Sequence, residues 1–254
     1  EPARFEMGLL SAGDWKGRWI RPVGKTDLEK EPVATLRRTF SMAKKIERAR
    51  LYVTARGLFE VEVNGRKVGD DYFANGFTSY HNRIDTLTYD ITKQLHPGEN
   101  HVQALLGTGW YAGRLPFKPE VRGPYGKDAE LLAQVEILFE DGSTETIVSD
   151  EQWEGTFDGP ILSSSIYDGE EYDARLQATN WAPVLSESDL GSAALTPKPF
   201  APVRETEVLT VQVITEPEPG RVGLALGQNN DGGARRRLTV GKDKNVAHSL
   251  GGMR

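Results

Sequence analysis

The chain has 254 residues, 38% of them hydrophobic, with no cysteine and a formal net charge of −6. That is long and apolar enough for a sizeable core, and it excludes disulfides, thiolate nucleophiles and cysteine-based zinc sites. The acidic balance provides no basic field for a phosphate backbone, and the one dense cationic run, Arg235–Arg237, lacks interleaved aromatics, so nucleic acid is not an expected partner. No window approaches the roughly twenty apolar residues of a membrane span, so no membrane is expected either. A cysteine-free chain suits a cytoplasmic or a secreted bacterial protein alike, and the compartment stays open.

In chain order, the dominant period is two. Leu51–Ala55 reads as a strand. In Leu58–Val63, Phe59, Val61 and Val63 alternate with Glu60 and Glu62, and Asn64-Gly65 supplies the positive-φ pair of a tight hairpin returning through Arg66–Val68. Asp90–Leu95 is expected to form one helical turn capped by Asp90 and stopped by Pro97-Gly98. Val102–Leu106 is a further strand. Ala133, Val135, Ile137 and Phe139 alternate with Gln134, Glu136, Leu138 and Glu140, Asp141-Gly142 turns, and Ser143–Val148 returns. Many short strands with frequent turn signals predict an all-β fold, an antiparallel jelly-roll-like sandwich over residues 15–185. Ser, Ala, Pro and Gly enrich residues 186–203, which reads as a connector. Glu207–Thr215 and Val222–Leu226 are strand-like again. Residues 204–254 are too few for a core of their own and predict the first strands of a second β domain with an irregular tail.

The most informative segment is Gly107-Thr-Gly-Trp-Tyr-Ala-Gly-Arg114, two aromatic rings among three glycines directly after a strand. Its G-x-G-x-x-A spacing raises a dinucleotide loop, but such a loop must open a helix, and Pro116 and Pro119 forbid one. Trp and Tyr faces instead suit the apolar face of a sugar ring. The loop Asn75–Arg83 adds Phe77, Tyr80, His81, Asn82 and Arg83, a mixture of rings, amide and cation suited to sugar hydroxyls. If strand ends bring this loop to Trp110, Tyr111 and Arg114, a carbohydrate site results. The same aromatics equally suit a core or a domain contact, and buried rings are commoner than sugar platforms. Trp15, Trp19, Trp153 and Trp181 are read as core or domain-contact residues.

Asp168, Glu170, Glu171 and Asp173 form the densest acidic cluster, and glycoside hydrolysis needs two carboxyls about 5–9.5 Å apart. On one strand Asp168 and Glu170 point in parallel rather than converge, so turn bonding and pairing with Arg175 or another arginine is the expected role. The four histidines show no metal-ligand spacing, and there is neither a G-x-S-x-G elbow nor a phosphate-cradling loop.

The order Asp14-Trp-Lys-Gly-Arg-Trp-Ile20, Leu36-Arg-Arg-Thr-Phe40, Ala49–Gly57, Val63–Gly69, Gly109-Trp-Tyr111, Tyr125-Gly126, Asp150-Glu-Gln-Trp153 and Ile166-Tyr-Asp-Gly-Glu-Glu-Tyr-Asp-Ala-Arg175 resembles the N-terminal β-sandwich region of bacterial α-L-rhamnosidases. The resemblance implies that residues 1–14 leave a preceding immunoglobulin-like domain, that Gly227-Gln-Asn229 with Gly233 opens the next β domain, and that a helical catalytic domain lies beyond Arg254. By this reading the chain itself is not an enzyme and carries no catalytic residue. Lys242–Arg254 departs from the family pattern.

Some members of the family resemble a calcium-dependent rhamnose-binding module in which an adjacent Asp-Asn pair holds a calcium ion shared with the sugar. At that place stands His81-Asn82, so Asn82 is the implied metal ligand. A lost carboxylate weakens a hard-cation site, which makes calcium possible but not required. The expected sugar-binding residues are Tyr80, His81, Asn82, Arg83, Trp110, Tyr111, Arg114 and Tyr125. Three functions follow: a non-catalytic module recognising L-rhamnose-containing oligo- or polysaccharides, a structural domain braced against the rest of a multidomain glycosidase, or part of an active α-L-rhamnosidase.

Overall fold

The computed structural model describes residues 8–24, 26–218 and 221–225, and nearly all of its regular structure is β. The first strands are β1 (Trp19–Arg21), β2 (Ala34–Met42), β3 (Ile46–Arg56), β4 (Leu58–Val63), β5 (Arg66–Lys67), β6 (Arg83–Asp90) and β7 (Gly98–Gly107). A single helical turn, α1 (Gly109–Ala112), then leads into a small ribbon of β8 (Arg114–Leu115) and β9 (Lys118–Arg122). The chain continues through β10 (Glu130–Phe139), β11 (Thr144–Val148), β12 (Glu154–Thr156), β13 (Ile161–Ser165), β14 (Gly169–Tyr172), β15 (Ala182–Pro183), β16 (Leu185–Glu187) and β17 (Ala194–Pro197).

Two sheets make the sandwich. One runs β16-β1-β10-β3-β6-β17, with β11 also on β10, and the other runs β15-β12-β2-β7-β4-β5. Pairing in both is antiparallel except for β17, which lies parallel to β6. Because side chains alternate across a strand, one set from each sheet fills the space between them. Leu51, Val53, Leu131, Val135 and Ile137 meet Leu36, Phe40, Val61, Val102 and Leu106 there.

The hairpins follow turn chemistry. Asn64 (φ 51°) and Gly65 (φ 72°) both take the positive φ that a two-residue β4–β5 turn requires. At the β10–β11 turn only Gly142 is positive, and Asp141 instead accepts the backbone N–H and hydroxyl of Ser143. At 90–95 the chain makes the single turn expected of it, with Thr92 N–H donating to Asp90 Oδ1 and Leu95 N–H to the Ile91 carbonyl.

Three features differ from the sequence reading. The alternation in β10 predicts a solvated face, yet Gln134 is fully buried: its side-chain oxygen accepts from Lys16 N–H, and its amide donates to the Asp14 carbonyl. The outer face of the first sheet is itself covered, and Trp15, Trp19, Tyr52, Tyr80, Ile84 and Leu132 form a second apolar cluster there. Residues 186–203 are not merely a connector. β16 and β17 lie in or against this segment and close the two edges of the first sheet, so the compact unit runs to Pro202. Edge strands need backbone pairing rather than apolar alternation, which is why composition does not reveal them.

A second unit begins at Val203. It contains the hairpin β18 (Val213–Glu218) and β19 (Arg221–Ala225), so regular pairing starts later than Glu207. Residues 1–7, Gly227–Asn229, Gly233 and 242–254, to which the resemblance assigns linker, domain-opening and tail roles, lie outside the described residues.

Candidate functional site

The β5–β6 loop and α1 meet at the margin of the outer apolar cluster. Tyr80 is the buried pivot of the loop. Its hydroxyl donates to the Gly76 carbonyl at 2.8 Å, and its ring packs edge-on to Tyr111 at 5.3 Å and tilted to Tyr125 at 5.1 Å. Burial, reinforced by Tyr125 and Asp85, pushes the Tyr80 hydroxyl well above the usual phenol range, so it acts as a neutral donor. Tyr111 is also raised, chiefly by burial. The turn carrying Tyr125 is fastened to α1 by Tyr125 N–H on the Tyr111 carbonyl and Gly123 N–H on the Ala112 carbonyl.

Outward from this pivot the rings become accessible. Phe77 is 54% exposed and Phe73 49%, and both lean on Trp110, at centroid distances of 5.7 and 6.0 Å. Phe73 holds a left-handed φ of 52°, which is costly for a bulky residue and turns its ring to the surface beside Trp110. His81 stacks obliquely on Tyr125 at 5.1 Å and is exposed. The result is an apolar platform of three rings with His81 on its flank.

Of the expected site residues, Tyr80, His81, Trp110, Tyr111 and Tyr125 are therefore brought together. Asn82 sits at the same corner, where its side-chain amide donates to Ser79 Oγ at 2.9 Å and its backbone carbonyl accepts from Ala194 N–H, tying the loop to β17. Arg83 Nε lies 3.0 Å from Asp85 Oδ1. Arg114 is engaged by a carboxylate: its guanidinium forks onto both oxygens of Asp168 at 2.6 Å. Asp173 forks in the same way with Arg175 and is held down to about 2 by it.

Calcium can be tested against this donor set. A calcium ion takes six to eight oxygen ligands, usually with several carboxylates. His81 supplies none and Asn82 one amide oxygen, and among the described residues no three His, Asp or Glu side chains gather to hold a metal. These residues do not fit the ion.

Three residues of the assembly escape sequence reading. Phe73 lies outside any strand pattern. Tyr167, in the β13–β14 turn, accepts the Trp110 indole N–H at 2.8 Å across 57 positions of sequence. Glu31, buried and at φ 49°, accepts from Thr108 Oγ1 and Arg122 at 2.7 Å each, while its carbonyl accepts from Ser164 N–H. It ties α1, β9 and the β13–β14 hairpin together. Local patterns cannot show such long-range pairs.

The model of the alpha-L-rhamnosidase N-terminal domain matches residues 44–215, more than half of the chain. The chain belongs to this family. Related alpha-L-rhamnosidases include one from Formosa agariphila, 40% identical over 187 residues covering 70% of the chain and 20% of the relative. One from Alteromonas sp. is 35% identical, covering 96% and 28%. Among solved structures, the Aspergillus terreus alpha-L-rhamnosidase superposes with a TM-score of 0.80 at 34% identity, covering 88% of this chain and 27% of that one. The Streptomyces avermitilis alpha-L-rhamnosidase, solved in complex with L-rhamnose, gives 0.72 at 37% identity, covering 79% and 20%. The chain thus spans about a fifth to somewhat over a quarter of the length of these alpha-L-rhamnosidases.

Proposed function

We propose that this alpha-L-rhamnosidase N-terminal domain is a carbohydrate-binding accessory module, which holds L-rhamnose-containing glycans for a longer glycoside hydrolase and cleaves no bond itself. The observation that carries this reading is the platform of exposed Phe73 and Phe77 leaning on the partly buried Trp110, with polar groups of His81 and Asn82 at its flank. Aromatic faces in contact with water are costly unless they receive an apolar partner, and a 6-deoxy sugar offers C–H faces and a methyl group for the rings and hydroxyls for the rim. The L-rhamnose complex of the Streptomyces relative supports this choice of sugar.

For bond cleavage two acids of the densest cluster are poorly disposed. Asp168 and Asp173 are each committed to an arginine, and hydrolysis of rhamnosides is assigned to the remainder of the longer protein.

Calorimetric titration with L-rhamnose, with and without calcium, tests the proposal. Saturable heat that is unchanged by calcium and lost in Asn82→Ala and Trp110→Ala is the expected result. Folded protein that takes up no sugar leaves the platform as a contact surface for another domain and ends the binding reading. Turnover of an aryl α-L-rhamnoside by the purified chain would overturn its non-catalytic assignment.

A further inference from the structure

The β13–β14 hairpin stands apart from both large sheets yet reaches the ring platform through its turn. Tyr167 in that turn is 38% exposed, and its oxygen accepts the Trp110 indole N–H at 2.8 Å. A phenol oxygen that accepts one hydrogen bond still carries its own proton to donate, and accepting strengthens that donation. The position of Tyr167 is also fixed in advance. The neighbouring Asp168 is clamped by both arms of Arg114, whose side chain is only 16% exposed, and that guanidinium lies 5.3 Å from the Tyr167 ring centre. The backbone on the other side is anchored by Ser164 N–H on the Glu31 carbonyl.

We infer that Tyr167 is a ligand-contacting residue of the platform, which orients the Trp110 ring through its oxygen and donates its O–H to a hydroxyl of the glycan lying on that ring. Arg114 and Asp168 are then positioning residues that hold the turn in place. This rests on the sugar-binding reading and adds to it the polar contact that selects one hydroxyl of the sugar. An apolar ring face alone discriminates poorly among sugars, whereas a pre-positioned donor rejects a sugar lacking its acceptor.

The test uses the full 254-residue chain with methyl α-L-rhamnoside and its 2-, 3- and 4-monodeoxy analogues. Tyr167→Phe keeps the ring and removes the hydroxyl. Expected are binding about fivefold weaker than wild type, the equivalent of one hydrogen bond, an upfield shift of the Trp110 indole proton, and a melting temperature lower by no more than about 4 °C from the lost Trp110 bond. One deoxy analogue is expected to bind both forms equally, which identifies the hydroxyl that receives the proton. Equal affinity of wild type and Tyr167→Phe for the parent sugar overturns this inference and leaves the platform intact. The same penalty in Tyr167→Phe for every analogue overturns the direct contact. A wild-type chain that binds none of the sugars overturns the platform and the Tyr167 contact together.

Discussion

Gly126 lies directly against the Tyr111 ring. A β-carbon at that position would stand 2.5 Å from Tyr111 Cζ, with Cε1 and Oη no farther. Carbon atoms in contact settle about 3.5–4.0 Å apart, so Gly126→Ala forces the ring to recede by at least about 1 Å. The backbone at Gly126 is not in the left-handed region, so the penalty is steric. It has two parts: a strained Tyr111 side chain, about 0.5–1.5 kcal/mol, and a weakened edge-on contact with Tyr80, about as much again. Together they give about 2 kcal/mol, a fall of roughly 4–8 °C in melting temperature for a chain of this size. Gly159→Ala is the matched control, since its β-carbon would meet only Thr35 Oγ1 at an ordinary 3.4 Å. That variant is expected to be neutral or more stable by up to about 1 kcal/mol. Urea denaturation of both variants is the assay, with the Tyr80 and Tyr125 ring resonances reporting on the site. If Gly126→Ala is as stable as Gly159→Ala and leaves those resonances in place, the packing argument for the pivot is wrong.

Two further perturbations probe the connections around the platform. Glu31→Ala removes one of the two carboxylates on the largely buried Arg122, leaving Glu29 at 3.2 Å, and the acceptor of Thr108, an expected loss of about 2–3 kcal/mol by denaturant unfolding, and a loss under about 1 kcal/mol would refute the tie. The Arg114 hydrogen bonds hold Asp168 below the ordinary carboxylate range, so the clamp stabilises the hairpin above the unfolded value of about 3.9 and is lost as pH falls through the lower, folded value. An acid titration followed at the Trp110 indole proton should show a step below pH 4 that vanishes in Asp168→Asn. A step at higher pH, or one that persists in the variant, contradicts the assignment.

Much of the scaffold can be read from local residue order. Asn64-Gly65 determines a two-residue turn because both positions need positive φ, and the alternation in β4 and β10 determines which side chains meet between the sheets. The bracketing of α1 by Gly109 and Gly113 places Trp110 and Tyr111 outside a strand. The resemblance of ordered motifs such as Gly109-Trp-Tyr111 and Ile166–Arg175 carries the family, since turn residues recur wherever the same turns must form.

What sequence reading lacks is partnership across distance. Arg114 reads as a sugar-binding cation beside two rings, and only the fold brings Asp168 to it across 54 positions. Gln134 reads as solvated until the segment before β1 is laid over it, and Ser- and Pro-rich residues read as a linker until two of their stretches pair at open sheet edges. Composition and spacing by themselves determined that this protein is a layered β-structure with aromatic loops at its margin, because turn geometry and alternation are properties of neighbouring residues. Which rings face water, which cation is already bound and which tyrosine holds Trp110 were decided by tertiary structure alone, because burial and charge pairing are set by whatever distant segment arrives at the same place.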